Sequence, residues 1–338
     1  MRYKLLGNTG LKVSELCLGT MTFGGQGMWT AIGSLPQKEV NDLVKRSVDA
    51  GINFIDTANV YSLGLSEQMT GQAIRDLGLK RDDLVIATKV RGAMGEGPNQ
   101  SGLSRKHILQ QADESLARLK TDYIDLYQIH GFDAETPMEE TLKALDSLVQ
   151  SGKARYIGCS NLAAWQIMKA LGISAKEHLA KFVSLQAYYT VAGRDLEREI
   201  VPLLNDQKLG LMVWSPLAGG FLSGKYSRSS TAEDGRRVNF DFPPVNKEKA
   251  FDIIDVMQVI AQNQHATVAQ IALAWLLHQP VVTSIIIGAK KTEQLTDNLK
   301  AIDIMLSADE LTQLNEVSKL SPEYPGWMIE RQSGNQKR

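Results

Sequence analysis

Eight short apolar runs alternate with helically spaced segments, and this alternation constrains the chain more than any other feature. The runs are ELCLG (15–19), NFIDTA (53–58), LVIATKV (84–90), YIDLYQIH (123–130), ARYIGCS (154–160), FVSLQ (182–186), GLMVW (210–214) and TSIIIG (283–288). They are β-rich and apolar throughout, the pattern of strands buried on both faces. From residue 53 to 210 they recur at roughly 30-residue intervals, enough for a parallel strand and its crossover. Such a chain forms either a closed (β/α)8 barrel or an open doubly wound sheet. No G-x-G-x-x-G segment occurs, so the dinucleotide fingerprint of the open sheet is missing and the barrel is the better reading.

A hairpin opens the chain, with YKLL and LKVS flanking the turn residues Gly7, Asn8 and Gly10. Val40, Leu43, Val44 and Val48 make one apolar helix stripe that ends at Gly51, a residue suited to a left-handed helix end. Thr136-Pro137-Met138-Glu139 predicts a capped helix start, followed by Leu142, Leu145 and Leu148 on one face. Thr267 with Gln270 and Ser307 with Glu310 repeat the capping-box spacing. No linker is evident, so residues 1–338 read as a single barrel domain. Stretches 20–36, 91–103, 215–246 and 320–338 read as long loops and a tail.

The net charge of −1, without a basic stripe, speaks against nucleic acid as a partner. Cys17 and Cys159 stand far apart inside apolar stretches, which fits a reducing compartment. No apolar leader follows Met1, and no run approaches the roughly 18 residues of a membrane span. The expected location is the cytoplasm, with no membrane partner, and no feature sets an oligomeric state.

A barrel gathers its chemistry at the C-terminal ends of its strands. Asp56, Lys89 and His130 stand at the ends of the second, third and fourth runs, and Tyr61 lies just after Asp56. Each has an ordinary explanation alone: a helix cap, a snorkelling lysine, a rim histidine, a packed loop aromatic. Together they suit carbonyl reduction, in which a hydride reaches the carbonyl carbon and the developing alkoxide takes a proton. A phenol with its usual pKa near 10 is a weak acid, but a neighbouring ammonium favours its phenolate and a carboxylate can hold that ammonium. A histidine can orient the carbonyl oxygen. No H-E-x-x-H or paired cysteines occur, and His107, His178, His265 and His278 lie in helical segments, so a metal is not expected.

These residues resemble the aldo-keto reductase family. GINFIDTANVY (51–61), ATKV (87–90) and DLYQIHG (125–131) are similar to its segments carrying catalytic Asp and Tyr, Lys, and His. GKARYIGCSN (152–161) and VWSPLAGGFLSGKY (213–226) match further family segments, and the resemblance runs from about residue 2 to 320. It implies a (β/α)8 barrel with an N-terminal hairpin closing its bottom. Asp56, Tyr61, Lys89 and His130 would be the catalytic tetrad, with Tyr61 donating the proton. Ser160, Asn161 and Gln186 would hold the nicotinamide carboxamide, and Trp214 would stack on the ring. Gly19, Thr20, Met21 and Asp56 would also contact the cofactor, as would Ser215, Pro216, Leu217, Gly219, Gly220, Gly224 and Lys225.

GGFLSGKY (219–226) also reads G-x-x-x-x-G-K, but Tyr226 follows where a P-loop needs Ser or Thr. Its backbone N–H groups suit a pyrophosphate, as the resemblance implies. Gly288, Ala289 and Lys290 would approach the adenosine 2′-phosphate, with Gln294 and Asn298 on the following helix. Position 294 is Gln where many members carry Arg; Lys290 and Lys291 would supply the charge, which favours NADPH over NADH. Substrate walls would come from Phe23, Met28, Trp29, Met94, Tyr188, Tyr324 and Trp327, with residues 320–338 near the site. A bulky or aromatic aldehyde or ketone, or a secondary alcohol in reverse, is the expected substrate. Gly92, Gly95, Gly97 and Gly102 fit either a closing lid or a solvated loop. Two other readings use the same barrel: a cofactor-binding regulatory subunit with little turnover, and a lyase forming a Schiff base on Lys89.

Overall fold

The computed structural model describes residues 1–228, 237 and 240–336, leaving aside the side chains at 28 and 334–336. Met28, a candidate pocket residue, thus has its side chain outside the described residues, as do positions 229–236, 238 and 239 of the expected loop 215–246.

Strands β1 (Tyr3–Leu5) and β2 (Lys12–Ser14) pair antiparallel, with Tyr3 opposite Ser14. The eight apolar runs all form strands: β3 (Leu16–Gly19), β4 (Phe54–Asp56), β5 (Val85–Val90), β6 (Ile124–Ile129), β7 (Ala154–Ser160), β8 (Phe182–Tyr188), β9 (Gly210–Trp214) and β10 (Val282–Ile287). They pair in parallel in sequence order, and β10 closes the barrel between β9 and β3. Helices surround them: α1 (Gln37–Asp49), α2 (Leu65–Asp76), α3 (Arg105–Leu119), α4 (Met138–Gln150), α5 (Ala164–Glu177), α6 (Ile200–Gln207), α7 (Lys247–Asn263), α8 (Val268–Leu277), α9 (Thr292–Leu299), α10 (Ala308–Val317) and α11 (Gly326–Gln336). Among the described residues, no helix is long and apolar enough to cross a membrane.

Burial on both strand faces divides the core in two. Outward strand residues such as Leu16, Leu18, Ile55 and Ile86 pack with Val40, Leu43 and Val44 of α1 and the other helices. Inward residues Cys17, Phe54, Val85, Ala87, Leu126, Met212 and Ile286 form a separate cluster with Leu6 and Val13 of the hairpin. The hairpin therefore plugs one end of the barrel. Ser284 Oγ donates to Ser14 O at 2.7 Å, and Lys4 Nζ donates to Val282 O at 2.8 Å. Gly7, at φ +60°, lies so close that a Cβ would sit 2.3 Å from Val183 O, so only glycine fits.

Two of the three expected capping boxes form, Thr267 with Gln270 and Ser307 with Glu310. The third does not. Helix α4 starts at Met138 with Pro137 as its cap, and the Thr136 hydroxyl donates to Asp133 Oδ2 at 2.7 Å. Asp133 also accepts from the amides of Leu103 and Glu135, so its carboxylate anchors Thr136 one residue before the Pro137 cap. The tail also departs from expectation, because residues 326–336 are helical. Trp327 and Ile329 of that helix are exposed, so no buried stripe marked it in the sequence. It follows a segment tied down by Arg198, which donates to Ser321 O at 3.2 Å and pairs with Glu323 at 2.9 Å.

Candidate active site

Above the apolar plug, the inward positions turn polar. Pairing of β4, β5 and β6 sets Asp56 beside Ala87 and Lys89 beside Gln128. Chain from the end of β4 continues along β5, with Thr57 N donating to Ala87 O and Asn59 N to Lys89 O. It then turns sharply at Tyr61–Gly64, where Ser62 (φ +49°) and Leu63 (φ +53°) are both left-handed. Two consecutive left-handed non-glycine residues store backbone strain, a feature that clusters at functional sites. This turn brings Tyr61 back over the end of β5.

Three of the four sequence candidates meet through one ammonium. Lys89 Nζ donates to Asp56 Oδ2 at 2.5 Å, to Thr57 O at 2.7 Å and to Tyr61 Oη at 3.3 Å. Lys89 is 0% exposed and Asp56 2%. Burial alone would lower the lysine's pKa, but the Asp56 carboxylate and the Tyr61 oxygen outweigh it and hold the pKa above the ordinary value. Lys89 therefore stays an ammonium and is a poor amine nucleophile, which weakens the Schiff-base reading.

His130, the fourth, packs edge-on against Tyr61, with ring centroids 5.7 Å apart. Burial of its imidazole, helped by the cations of Lys89 and Arg91, pushes its pKa down to about 3. At neutral pH the ring is uncharged and can donate one hydrogen bond without adding a cation. Asp56 Oδ1 accepts from Gln186 Nε2 at 2.8 Å and Gln128 Nε2 at 3.2 Å. Both oxygens of the carboxylate are thus engaged.

The candidate cofactor residues line the same mouth. Asn161, left-handed at φ +55°, accepts from Trp214 Nε1 at 3.0 Å and donates to Ser160 Oγ at 2.9 Å and His130 O at 3.3 Å. Trp214 has Tyr188 5.2 Å away and Phe242 nearly parallel to it at 5.8 Å, so its indole belongs to an aromatic cluster at the mouth. Ser160, Asn161 and Trp214 form one connected amide-and-aromatic surface that fits a nicotinamide. Gln186 belongs to it but here donates to Asp56.

Segment 215–224 turns through left-handed residues at Ser215, Ala218, Gly219, Gly220 and Gly224. Its amides are partly used internally: Gly219 N donates to Ser215 Oγ and Gly220 N to Leu217 O. These two amides, expected to face a pyrophosphate, are in this conformation taken by the turn itself. Gly219 is also roofed, since a Cβ there would lie 2.5 Å from Phe242 O. Pro216 is buried, Leu217 half-buried and Lys225 exposed.

At the other edge, Gly19 pairs with Asp56, and Thr20 is buried with its N–H on Asp56 O. Met21 is half-buried. Gly288 and Lys290 are exposed, Ala289 is buried, and Gln294 Oε1 accepts from Lys290 N at 2.9 Å. Gln294 thus ties the first turn of α9 back to the chain before it, and Asn298 of that helix is buried. With Lys290 and Lys291 exposed there, the edge fits a phosphate by charge.

Candidate substrate residues divide. Trp29 packs on Tyr61 with centroids 5.3 Å apart, and Tyr188 sits on Trp214. Phe23 has no exposed surface, because its ring is packed in the core shared with the helices. It offers nothing to a substrate in this conformation. Met94 is half-buried in a loop folded on itself, with its amide on Gln100 O. Trp327 packs against Tyr324 in the tail. Sequence reading missed Gln128, Phe242 and the edge-on pair of Phe132 and exposed Trp165. Gln128 carried a signal, being the inward polar residue two before His130; Phe242 carried none. Among the described residues, no cluster of three or more His, Cys, Asp or Glu could hold a metal ion.

The profile of the Aldo/keto reductase family matches residues 15–319. A protein of Arabidopsis thaliana named "Probable voltage-gated potassium channel subunit beta" is 38% identical over 333 residues, covering 96% of this chain and 99% of its own. "Uncharacterized oxidoreductase YrpG" of Bacillus subtilis is 37% identical over 326 residues, 94% of this chain and 96% of its own. "Versiconal hemiacetal acetate reductase" of Aspergillus parasiticus is 35% identical over 348 residues, 96% and 99%. The chain belongs to the aldo/keto reductase family.

Proposed function

We propose that the protein reduces an aldehyde or ketone to an alcohol, or runs the reverse oxidation, with NADPH as cofactor and Tyr61 as proton donor. The observation that carries this is the Lys89 ammonium, within hydrogen-bond reach of both Asp56 Oδ2 and Tyr61 Oη. Trp214, Ser160 and Asn161 would hold the reduced nicotinamide, which would supply the hydride. Tyr61 Oη then gives its proton to the carbonyl oxygen. Lys89, 3.3 Å away, stabilises the negative charge left on the phenol oxygen. Asp56 keeps the ammonium in place, and neutral His130 donates a hydrogen bond to the same carbonyl oxygen. The exposed pair Lys290 and Lys291 supports NADPH over NADH. Trp29, Tyr188 and Trp214 around the mouth support a bulky or aromatic substrate.

The test is cofactor consumption by the purified protein with a nitrobenzaldehyde, in parallel with NADPH and NADH. Turnover that prefers NADPH is expected. A panel in which only small polar sugars are reduced would contradict the substrate class. The similarity to a protein named as a potassium channel β subunit favours a second reading, a cofactor-binding regulatory subunit. Capture of a membrane protein together with negligible turnover of every carbonyl would select it.

A further inference from the structure

We propose that Gln128 is a positioning residue, a neutral clamp that orients the Asp56 carboxylate so that its other oxygen presents the Lys89 ammonium to Tyr61. Gln128 lies on β6 and is 0% exposed. The inward residue before it in the strand, Leu126, belongs to the apolar plug. Its Nε2 is 3.2 Å from Asp56 Oδ1, while its Oε1 has no hydrogen-bond partner among the described residues. A carboxylate only accepts, so the NH2 end must face Asp56; the turned amide would set two oxygens against each other. The side chain is thus oriented by Asp56 and leaves an acceptor unsatisfied, a cost that packing does not explain.

Its neighbour makes room for it. Gly158 pairs with Gln128 across the sheet, and a Cβ there would lie 3.2 Å from Gln128 Cγ and 2.8 Å from Ser184 Oγ. Asp56 Oδ1 has one other amide donor, Gln186, which also belongs to the proposed carboxamide site. When Gln186 serves the cofactor, Gln128 remains to hold Oδ1. Two amide donors on Oδ1 fix the plane of the carboxylate, and that plane aims Oδ2 at the Lys89 ammonium.

The inference rests on the proposed reduction through Tyr61. Its test uses the full chain with NADPH and a nitrobenzaldehyde across a pH series, comparing wild type, Gln128→Met, Gln128→Glu and Tyr61→Phe. Gln128→Met should lower kcat roughly ten- to hundredfold, the rate equivalent of one hydrogen bond to a charged group. KM and NADPH affinity should stay within about twofold and Tm should not fall, because the apolar replacement removes an unsatisfied acceptor. Gln128→Glu should recover kcat at low pH, where the protonated carboxyl still donates, and lose it as Glu ionises beside Asp56.

A Gln128→Met kcat within about twofold of wild type, or a Gln128→Glu kcat that does not fall as pH rises, overturns the proposal. So does a Gln128→Met protein that loses Tm and activity together. If Gln128→Met does not fold, the Gln128→Glu profile decides alone. Wild-type activity in Tyr61→Phe defeats the underlying reading and this inference with it. A dead Tyr61→Phe beside unaffected Gln128 variants defeats this inference only.

Discussion

Replacing Asp56 by Asn removes the ion-pair partner of a lysine that is 0% exposed. The ammonium keeps Thr57 O and Tyr61 Oη but no longer faces a full negative charge. Breaking a buried pair from one side costs about 3–5 kcal/mol, mostly because the remaining charge stays buried. At about 2.1 cal/mol/K per residue, the unfolding entropy of this 338-residue chain is about 0.7 kcal/mol/K. The melting temperature should therefore fall by about 4–7 °C. Lys89→Met should cost a similar amount, and Asp56→Asn/Lys89→Met should recover to within about 1 kcal/mol of wild type.

The pH dependence separates this account from simple loss of packing. In the wild type the lysine's pKa is held above its ordinary value. Its contribution is therefore fully present below about pH 10.4 and is lost only as pH rises through the folded pKa. In Asp56→Asn, burial acts without the carboxylate and the folded pKa drops below about 10.4. The unfolded chain then binds the extra proton, so stability rises with pH up to that value and the deficit shrinks between about pH 7 and 10. Thermal melts of the four proteins at both pH values measure this. A single-variant loss under about 1 kcal/mol, or a double variant no better than the singles, would refute the reasoning.

Two further outcomes follow from the geometry. A Cβ on Gly71 of α2 would lie 2.4 Å from Leu119 O at the end of α3. Gly71→Ala should thus cost at least about 1–3 kcal/mol despite alanine's better helix propensity, and a melt at or above wild type would contradict the close approach. His130 is pushed down to about 3, so the unfolded chain binds a proton that the native state does not as pH falls from about 6.5. Native stability should fall over that window by up to about 1.4 kcal/mol per pH unit from this residue, and urea unfolding of His130→Gln should show a shallower slope; an unchanged slope would count against the neutral ring.

The barrel was legible because its strands are buried on both faces, which leaves unbroken apolar runs such as LVIATKV and TSIIIG. Asp56, Lys89 and His130 were legible for a related reason: each is a polar residue ending such a run, where closure collects strand ends. Features that depend on competition between partners were hidden. Thr136 has the spacing of a cap, yet its hydroxyl goes to Asp133. Phe23 sits in a stretch rich in glycine but packs in the core. Helix α11 shows Trp327 and Ile329 to solvent, so hydrophobic periodicity could not report it. Phe242 lies beside Trp214 only because residues 240–243 fold back over Gly219, and local patterns carry no trace of that return.

The most direct test of the central claim is the single-turnover rate of NADPH-dependent nitrobenzaldehyde reduction by Tyr61→Phe. It is compared with wild type at concentrations where cofactor fluorescence shows both proteins saturated. Loss of the phenol proton should slow the reaction by about 10²–10⁴-fold while leaving NADPH binding intact. A Tyr61→Phe protein that turns over within a few-fold of wild type would contradict the assignment of Tyr61 as the acid.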